Sequence, residues 1–161
     1  MTGDERFSKH SVSKAIYGSI SVLAVLLVME EHPPAAWRAA VTLFGSALAI
    51  ALAEAYSETV AEMISRRARL TGAELGAVWR SARPILLAAN LPTLFLLLSA
   101  AGLYPVSSAL LIAEYAVYAA LFVYGAWSGR LLHGTWWRSL LGGLFTLAVG
   151  ALIGLIKYFF H

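Results

Sequence analysis

Polar and apolar positions segregate along this chain into long blocks. Met1 to Lys14 is polar, and Ala15 to Met29 is apolar, ending abruptly at Glu30-Glu31-His32-Pro33-Pro34. That first run is short for a transmembrane helix, because about 20 residues are needed to cross ~30 Å of hydrocarbon. A signal peptide would have the same basic start and short apolar stretch. It is disfavoured because no small-x-small cleavage site precedes the Glu and Pro pairs. Ser11 to Lys14 can instead extend the helix, with Lys14 snorkelling towards water. A second apolar stretch starts after Pro33-Pro34 with Trp37 at the interface and runs to about Arg69, interrupted only by Gly45. At 1.5 Å per residue it is about 50 Å long, so its last turns should project into water. Thr71-Gly72 should end it, with a short amphipathic piece from Ala73 to Arg83. Further helices are expected from Pro84 to about Leu103, bent near Pro92, from about Pro105 to Ser128, and from about Thr135 to Phe160. Trp136, Trp137, Tyr158 and Phe159 sit at the two ends of the last one, as an aromatic belt would place them.

The pattern predicts an all-α polytopic membrane bundle of five helices, at about 15–30, 36–69, 84–103, 105–128 and 135–160. A polar segment, 1–14, precedes a single transmembrane domain, 15–161. Composition agrees, since 60% of the 161 residues are hydrophobic and only 13% charged. Soluble domains carry about twice that share of charge. Cysteine is absent, which excludes disulfides, zinc–thiolate sites and thiol catalysis. The net charge of +3 matters less than its distribution. Ten of the 12 Lys and Arg residues fall before helix one, between helices two and three, or between helices four and five; Arg38 and Lys157 fall on the other side. The positive-inside rule then predicts a cytoplasmic N-terminus and an outer C-terminus in a cell membrane. Basicity is accounted for by topology, so nucleic acid is not an expected partner; the lipid bilayer is.

No nucleotide-binding loop, His-x-x-x-His pair or Ser-His-Asp set is present, and no cofactor is implied. Candidate chemistry therefore rests on polar groups within the membrane zone. Glu114 should lie about 12 Å inside the outer end of helix four, near the midplane. A carboxylate there must be paired, hydrated or protonated. Tyr115 follows it, and Tyr118 lies one turn further on. The alternative is a protonated Glu114 acting as hydrogen-bonded packing glue. Glu54, Glu58 and Glu62 recur every four residues, an acidic stripe of hard oxygen ligands straddling the arginine-rich boundary of helix two. Its bland reading is a solvated face, with Glu62 and Arg66 forming an i,i+4 pair. Asn90 lies two residues before Pro92 and could satisfy the carbonyl that the proline frees, or bind a cation. Gly150 and Gly154 form a small-xxx-small pair beneath Gly142-Gly143, and Gly18 with Ser19 and Ser21 offers another surface for tight helix approach. The four histidines are terminal or in loops and carry no assigned role.

Two stretches together resemble the vacuolar iron transporter family of five-helix membrane proteins. Ser46 to Ser57 is similar to its second-helix signature, a small-residue run leading to Glu54 with Tyr56 and Ser57 behind it. Gly125 to Gly154, with Arg130, Trp137-Arg138-Ser139, Gly142-Gly143 and Gly154, falls much as in the family's last two helices. The resemblance implies a dimer, and transport of Fe²⁺ or Mn²⁺ against protons. Three features depart from the family pattern. Tyr17-Gly18-Ser19 stands where the family carries an Asp, Ile50 stands where it carries a Met, and the Arg66–Arg83 connection is short and basic where many members have a metal-binding insertion. Two functional readings follow. One is a dimeric, proton-coupled divalent-cation transporter, with Glu54 and Glu58 gathering the ion and Glu114, Tyr118 and Asn90 on the coupling path. The other is a non-transporting scaffold or partner subunit. An enzyme is not expected, since one intramembrane Glu with nearby tyrosines defines no reaction.

Overall fold

A computed structural model describes residues 3–133 and 136–160; Thr135, the expected start of helix five, and His161 lie outside them. Five helices follow one another: α1 (Gly3–Glu31), α2 (Ala36–Arg66), α3 (Gly72–Ala100), α4 (Val106–His133) and α5 (Trp136–Phe160). Each contains a stretch long and apolar enough to cross a membrane. No strand occurs among the described residues.

Several boundaries differ from expectation. Helix α1 starts at Gly3, so the polar N-terminal segment is its first three turns. Helix α4 continues past Ser128 to His133. The largest difference is α3, where the expected amphipathic piece and the helix after it are one continuous helix. Its start is a capping box. The Thr71 hydroxyl accepts from the Glu74 backbone N–H, and a Glu74 carboxylate oxygen accepts from the Thr71 backbone N–H at 2.7 Å. Two otherwise orphaned donors are satisfied in this way. Pro84 and Pro92 both sit inside the helix without ending it, since neighbouring helices support the freed backbone groups of a membrane helix. Arg67, in the left-handed conformation at φ 51°, closes α2 a turn earlier than Arg69.

Helix α1 is the axis of the bundle and packs against α2, α3, α4 and, least, α5. The other pairings run in chain order, α2 with α3, α3 with α4, and α4 with α5. The core is a layer of Val22, Leu23, Leu26 and Leu27 from α1, Leu43 and Ala47 from α2, Leu96 from α3, and Leu110, Ala113, Val117 and Leu121 from α4. Ala39, Ala40, Ala47 and Ala51 let α2 approach its neighbours closely. With lipid outside, such packing is held by dispersion and small-residue contact rather than by escape from water.

The glycines divide by role. A methyl group on Gly18 would lie 2.7 Å from the Ile85 Cα, so α1 and α3 touch backbone to backbone there. The α4–α5 seam is tighter still, since added carbons at Gly125 and Gly142 would each come within 2.6 Å of the other residue's carbonyl oxygen. Gly129 faces the Arg138 carbonyl at the same distance. Ser139 reinforces the seam, its hydroxyl donating to the Ala126 carbonyl at 2.6 Å. The expected pair Gly150 and Gly154 instead forms a notch for side chains, chiefly Tyr118 and Leu121 of α4. At the turn between α3 and α4, Ser99 donates to the Tyr104 carbonyl and the Tyr104 hydroxyl returns to the Phe95 carbonyl.

Candidate functional site

The inward face of α2 runs through Leu43, Ala47 and Ala51, all buried. Continued at the same helical spacing, it reaches Glu54 and Glu58, which are therefore directed at α1 and α3 rather than at lipid. Lys14 of α1 meets them. Its side chain is 10% exposed; the ammonium donates to Glu58 Oε2 and lies 3.5 Å from Glu54 Oε1. Its third neighbour is Ser81 of α3, at 3.0 Å. The Ser81 hydroxyl proton has two acceptors in reach, Glu58 Oε2 at 2.6 Å and the Val78 carbonyl at 2.7 Å. One cation is thus held by oxygens from two other helices.

The residues lie at one level of the bundle. Lys14 is about 25 Å along α1 from Glu31, Glu54 about 27 Å along α2 from Ala36, and Ser81 about 28 Å along α3 from Ala100. These lengths put the cluster where ~30 Å of hydrocarbon ends. Lys14 does not snorkel into water; the carboxylates bring its counter-charge into the bundle. Glu54 and Glu58 keep about a third of their side-chain surface exposed, so the charges are only partly desolvated.

On the outer side of Glu58 opens a cleft of about 460 Å³ between the ends of α2 and α3. Its walls carry Glu62, Arg66, Glu74 and Arg80, with Ser11 of α1 at one edge. Arg66 links the two helices, its guanidinium 2.6 Å from Glu62 Oε1 and also paired with Glu74. The anticipated i,i+4 pair is therefore present, and it extends across the turn to the capping box. Glu62 faces water in this arrangement, apart from the Lys14 cluster.

Glu114 occupies a second, separate place. It is half-buried on α4, and the Tyr118 hydroxyl one turn later hydrogen-bonds to it, with Glu30 of α1 within electrostatic reach. Tyr118 is seated in the α5 notch, its hydroxyl 3.3 Å from where a Gly154 methyl would be. Tyr115 is 70% exposed. Lys14 and Glu30 are separated by 16 residues of α1, so the two polar clusters lie about 24 Å apart. The apolar layer of Leu23, Leu26, Leu43 and Leu96 fills the space between them.

Asn90 belongs to neither cluster. Its side chain is exposed on the outside of α3 and bonds no carbonyl freed by Pro92. Among the described residues, no group of three or more His, Cys, Asp or Glu side chains could hold a metal ion. Sequence reasoning missed Lys14 as a site residue, Ser81 altogether, and Gly125–Gly129 as a packing motif. The signal for the last was a plain Gly-x-x-x-Gly. The signal for Lys14 was a cation at the same membrane depth as the acidic stripe.

These features define a class, an all-α, multi-pass membrane protein with interhelical ion pairs near the end that carries most of its arginines. No family profile, curated protein or solved structure matches the chain.

Proposed function

We propose that this chain transports small cations across a cell membrane in exchange for protons, Fe²⁺ and Mn²⁺ being the candidate cargo, with its N-terminus and arginine-rich end in the cytoplasm. One observation carries the reading: Glu54, Glu58 and Ser81 converge on a single cation, the Lys14 ammonium, at the floor of a cleft. Three oxygens around one positive charge are the donor type that a hard cation takes. Charges placed at the hydrocarbon boundary are costly to fold around and mark ion pathways in membrane proteins. The likeness of Ser46–Ser57 to the second helix of vacuolar iron transporters supports the same residue, Glu54.

The cycle follows from charge balance. Cargo entering from the cleft competes with Lys14 for the Glu54 and Glu58 carboxylates, and the displaced ammonium loses its counter-charge and sheds a proton or moves to water. Return of Lys14 expels the cargo. Glu114, in the other half of the membrane and held by the Tyr118 hydroxyl, takes up and releases protons on the far side of the apolar layer. Opening that layer is the transport step.

A scaffold or partner subunit is the second reading, favoured by the neutralisation of Glu54 and Glu58 by Lys14 without any cargo. Uptake into proteoliposomes separates the two. Purified protein is reconstituted around a fluorescent metal sensor and challenged with Fe²⁺, Mn²⁺ and Co²⁺ across a pH gradient. Saturable, gradient-driven flux, lost in Glu58→Gln and uncoupled from pH in Glu114→Gln, is the expected result. Flux no greater than in empty vesicles, from folded and inserted protein, removes transport and leaves the scaffold.

A further inference from the structure

The cations at the arginine-rich end are not equivalent. Arg66 takes Glu62 and Glu74, and Lys14 takes Glu54 and Glu58. Those four are all the acidic residues of α2 and α3. Arg80 and Arg83 of α3 are exposed and have no hydrogen bond or ion pair among the described residues. They stand three residues apart, neighbours on one helix face with Cβ atoms about 5–6 Å from each other. Two like charges at that spacing repel unless an anion lies between them. Gly76 is one turn before Arg80 on the same face, and a methyl group there would meet nothing within 4 Å. The backbone beside the two guanidiniums is therefore bare.

Depth is the independent observation. Counted from Ala100, Arg83 lies about 25 Å and Arg80 about 30 Å along α3, where ~30 Å of hydrocarbon gives way to headgroups. Side chains lean towards the N-terminus of their helix, which carries the Arg83 guanidinium out of the hydrocarbon to the level of Arg80. Inwards, the face continues as Leu87, Leu91 and Leu94, which are 62%, 50% and 49% exposed. Two cations at headgroup level thus lead into an exposed apolar stripe. Arg67 and Arg69 differ, because they lie in the turn before Thr71, itself about 44 Å from Ala100 and beyond the headgroups.

We infer that Arg80 and Arg83 bind the phosphate of an anionic phospholipid in the leaflet on their side of the membrane, with its acyl chains along Leu87, Leu91 and Leu94. Arginine suits the role, since its planar guanidinium meets a phosphate with two hydrogen bonds and stays charged. A net-negative lipid such as phosphatidylglycerol supplies the counter-charge that both residues lack. Phosphatidylcholine carries its own cation, which the pair repels. Glu62 and Glu74, in the walls of the cleft that Arg80 also borders, are engaged by Arg66 and do not oppose the lipid. Such a site serves a transporter and a scaffold alike.

Native mass spectrometry reads the lipid that each chain keeps when released from micelles holding equal amounts of phosphatidylglycerol and phosphatidylcholine. Phosphatidylglycerol should be kept in preference. Each arginine near an anionic headgroup contributes about fivefold, so Arg83→Gln should weaken its retention about fivefold and Arg80→Gln with Arg83→Gln about 25-fold. Arg67→Gln with Arg69→Gln should leave retention nearly unchanged. Phosphatidylglycerol should also raise the melting temperature of the parent chain but not of the Arg80 and Arg83 double variant, while the two melt alike in phosphatidylcholine. Equal retention of both lipids by the parent chain overturns the assignment, as does an equal loss of phosphatidylglycerol in the Arg67 and Arg69 variant. Inorganic phosphate that stabilises the parent chain as much as phosphatidylglycerol does also overturns it, since the arginines would then hold a soluble anion. The lipid comparison uses the unaltered chain, so it decides even where a variant misfolds.

Discussion

Two seams of this bundle solve the same problem with opposite chemistry. At the arginine-rich end, α1, α2 and α3 are joined by Lys14, Glu54, Glu58 and Ser81, a contact of long side chains and charge. Along α4 and α5 the join is made by Gly125, Gly129 and Gly142, where backbones approach until no side chain fits. Depth does not separate them, since Gly125 lies about 28 Å along α4 from Val106, level with Lys14 and Glu54. At the hydrocarbon boundary the carboxylates keep contact with water, so a charged cluster costs little enough to be retained. The glycines at the same level bring dispersion surfaces together at no electrostatic cost. A polar seam can also be undone by a proton or a competing ion, whereas a glycine seam cannot.

Breaking the glycine seam should have the largest effect. Gly142→Leu places carbon into the Gly125 carbonyl, and overpacking of this kind costs about 3 kcal/mol or more. Reversible unfolding in mixed micelles should show the loss, with α5 becoming accessible to protease first. Next comes Lys14→Met, which leaves two carboxylates facing each other without a counter-charge. A removed partner of a fully buried pair costs about 3–5 kcal/mol; with a third of each Glu side chain exposed, about 2 kcal/mol is expected here. The double variant Lys14→Met with Glu58→Gln should recover more than half of that, and a cycle with no coupling energy would show that the cluster is not a unit.

Within the cluster, Glu58→Gln should cost more than Glu54→Gln. Glu58 accepts from both Lys14 and Ser81, whereas Glu54 contributes only a 3.5 Å ion pair, and about 1 kcal/mol separates a hydrogen-bonded charge from a merely adjacent one. Thr71→Ala removes a helix cap and should cost roughly 1 kcal/mol, read as fraying of the first turn of α3 in hydrogen exchange. Least of all, Gly154→Ala should leave stability nearly unchanged. Its methyl would meet the Tyr118 hydroxyl at 3.3 Å, which a small ring movement relieves, and Leu27 at an ordinary contact distance of 4.0 Å. A large loss there would mean that the notch is as rigid as the Gly125–Gly142 contact.

Legibility from the sequence followed the range of the forces. The five spans came from apolar block length, and the Glu62–Arg66 pair from spacing of four, both local properties. Even the α3 start was readable, because Thr71-Gly72-Ala73-Glu74 is a capping box; Pro84 competes with it as a start signal, since proline favours the first turn of a helix. Glu54 and Glu58 were legible as a face of α2, but their partner was not. Lys14 looked like a snorkelling anchor, and only the packing of α1 against α2 and α3 places it among carboxylates 40 and more residues away. Asn90 likewise read as a local answer to Pro92, and it faces outward instead.

By itself, then, the sequence determined that this is a helical membrane protein of five spans, because a bilayer selects on hydrophobic length and obliges each span to satisfy its own backbone. Tertiary structure alone decided which polar groups meet, which glycines are filled and which stay open. Helix rotation about its own axis costs almost nothing within one apolar block. It is settled only when several helices interlock, so that Glu58 turns inward to Lys14 while Asn90 and Gly45 are left on the outside.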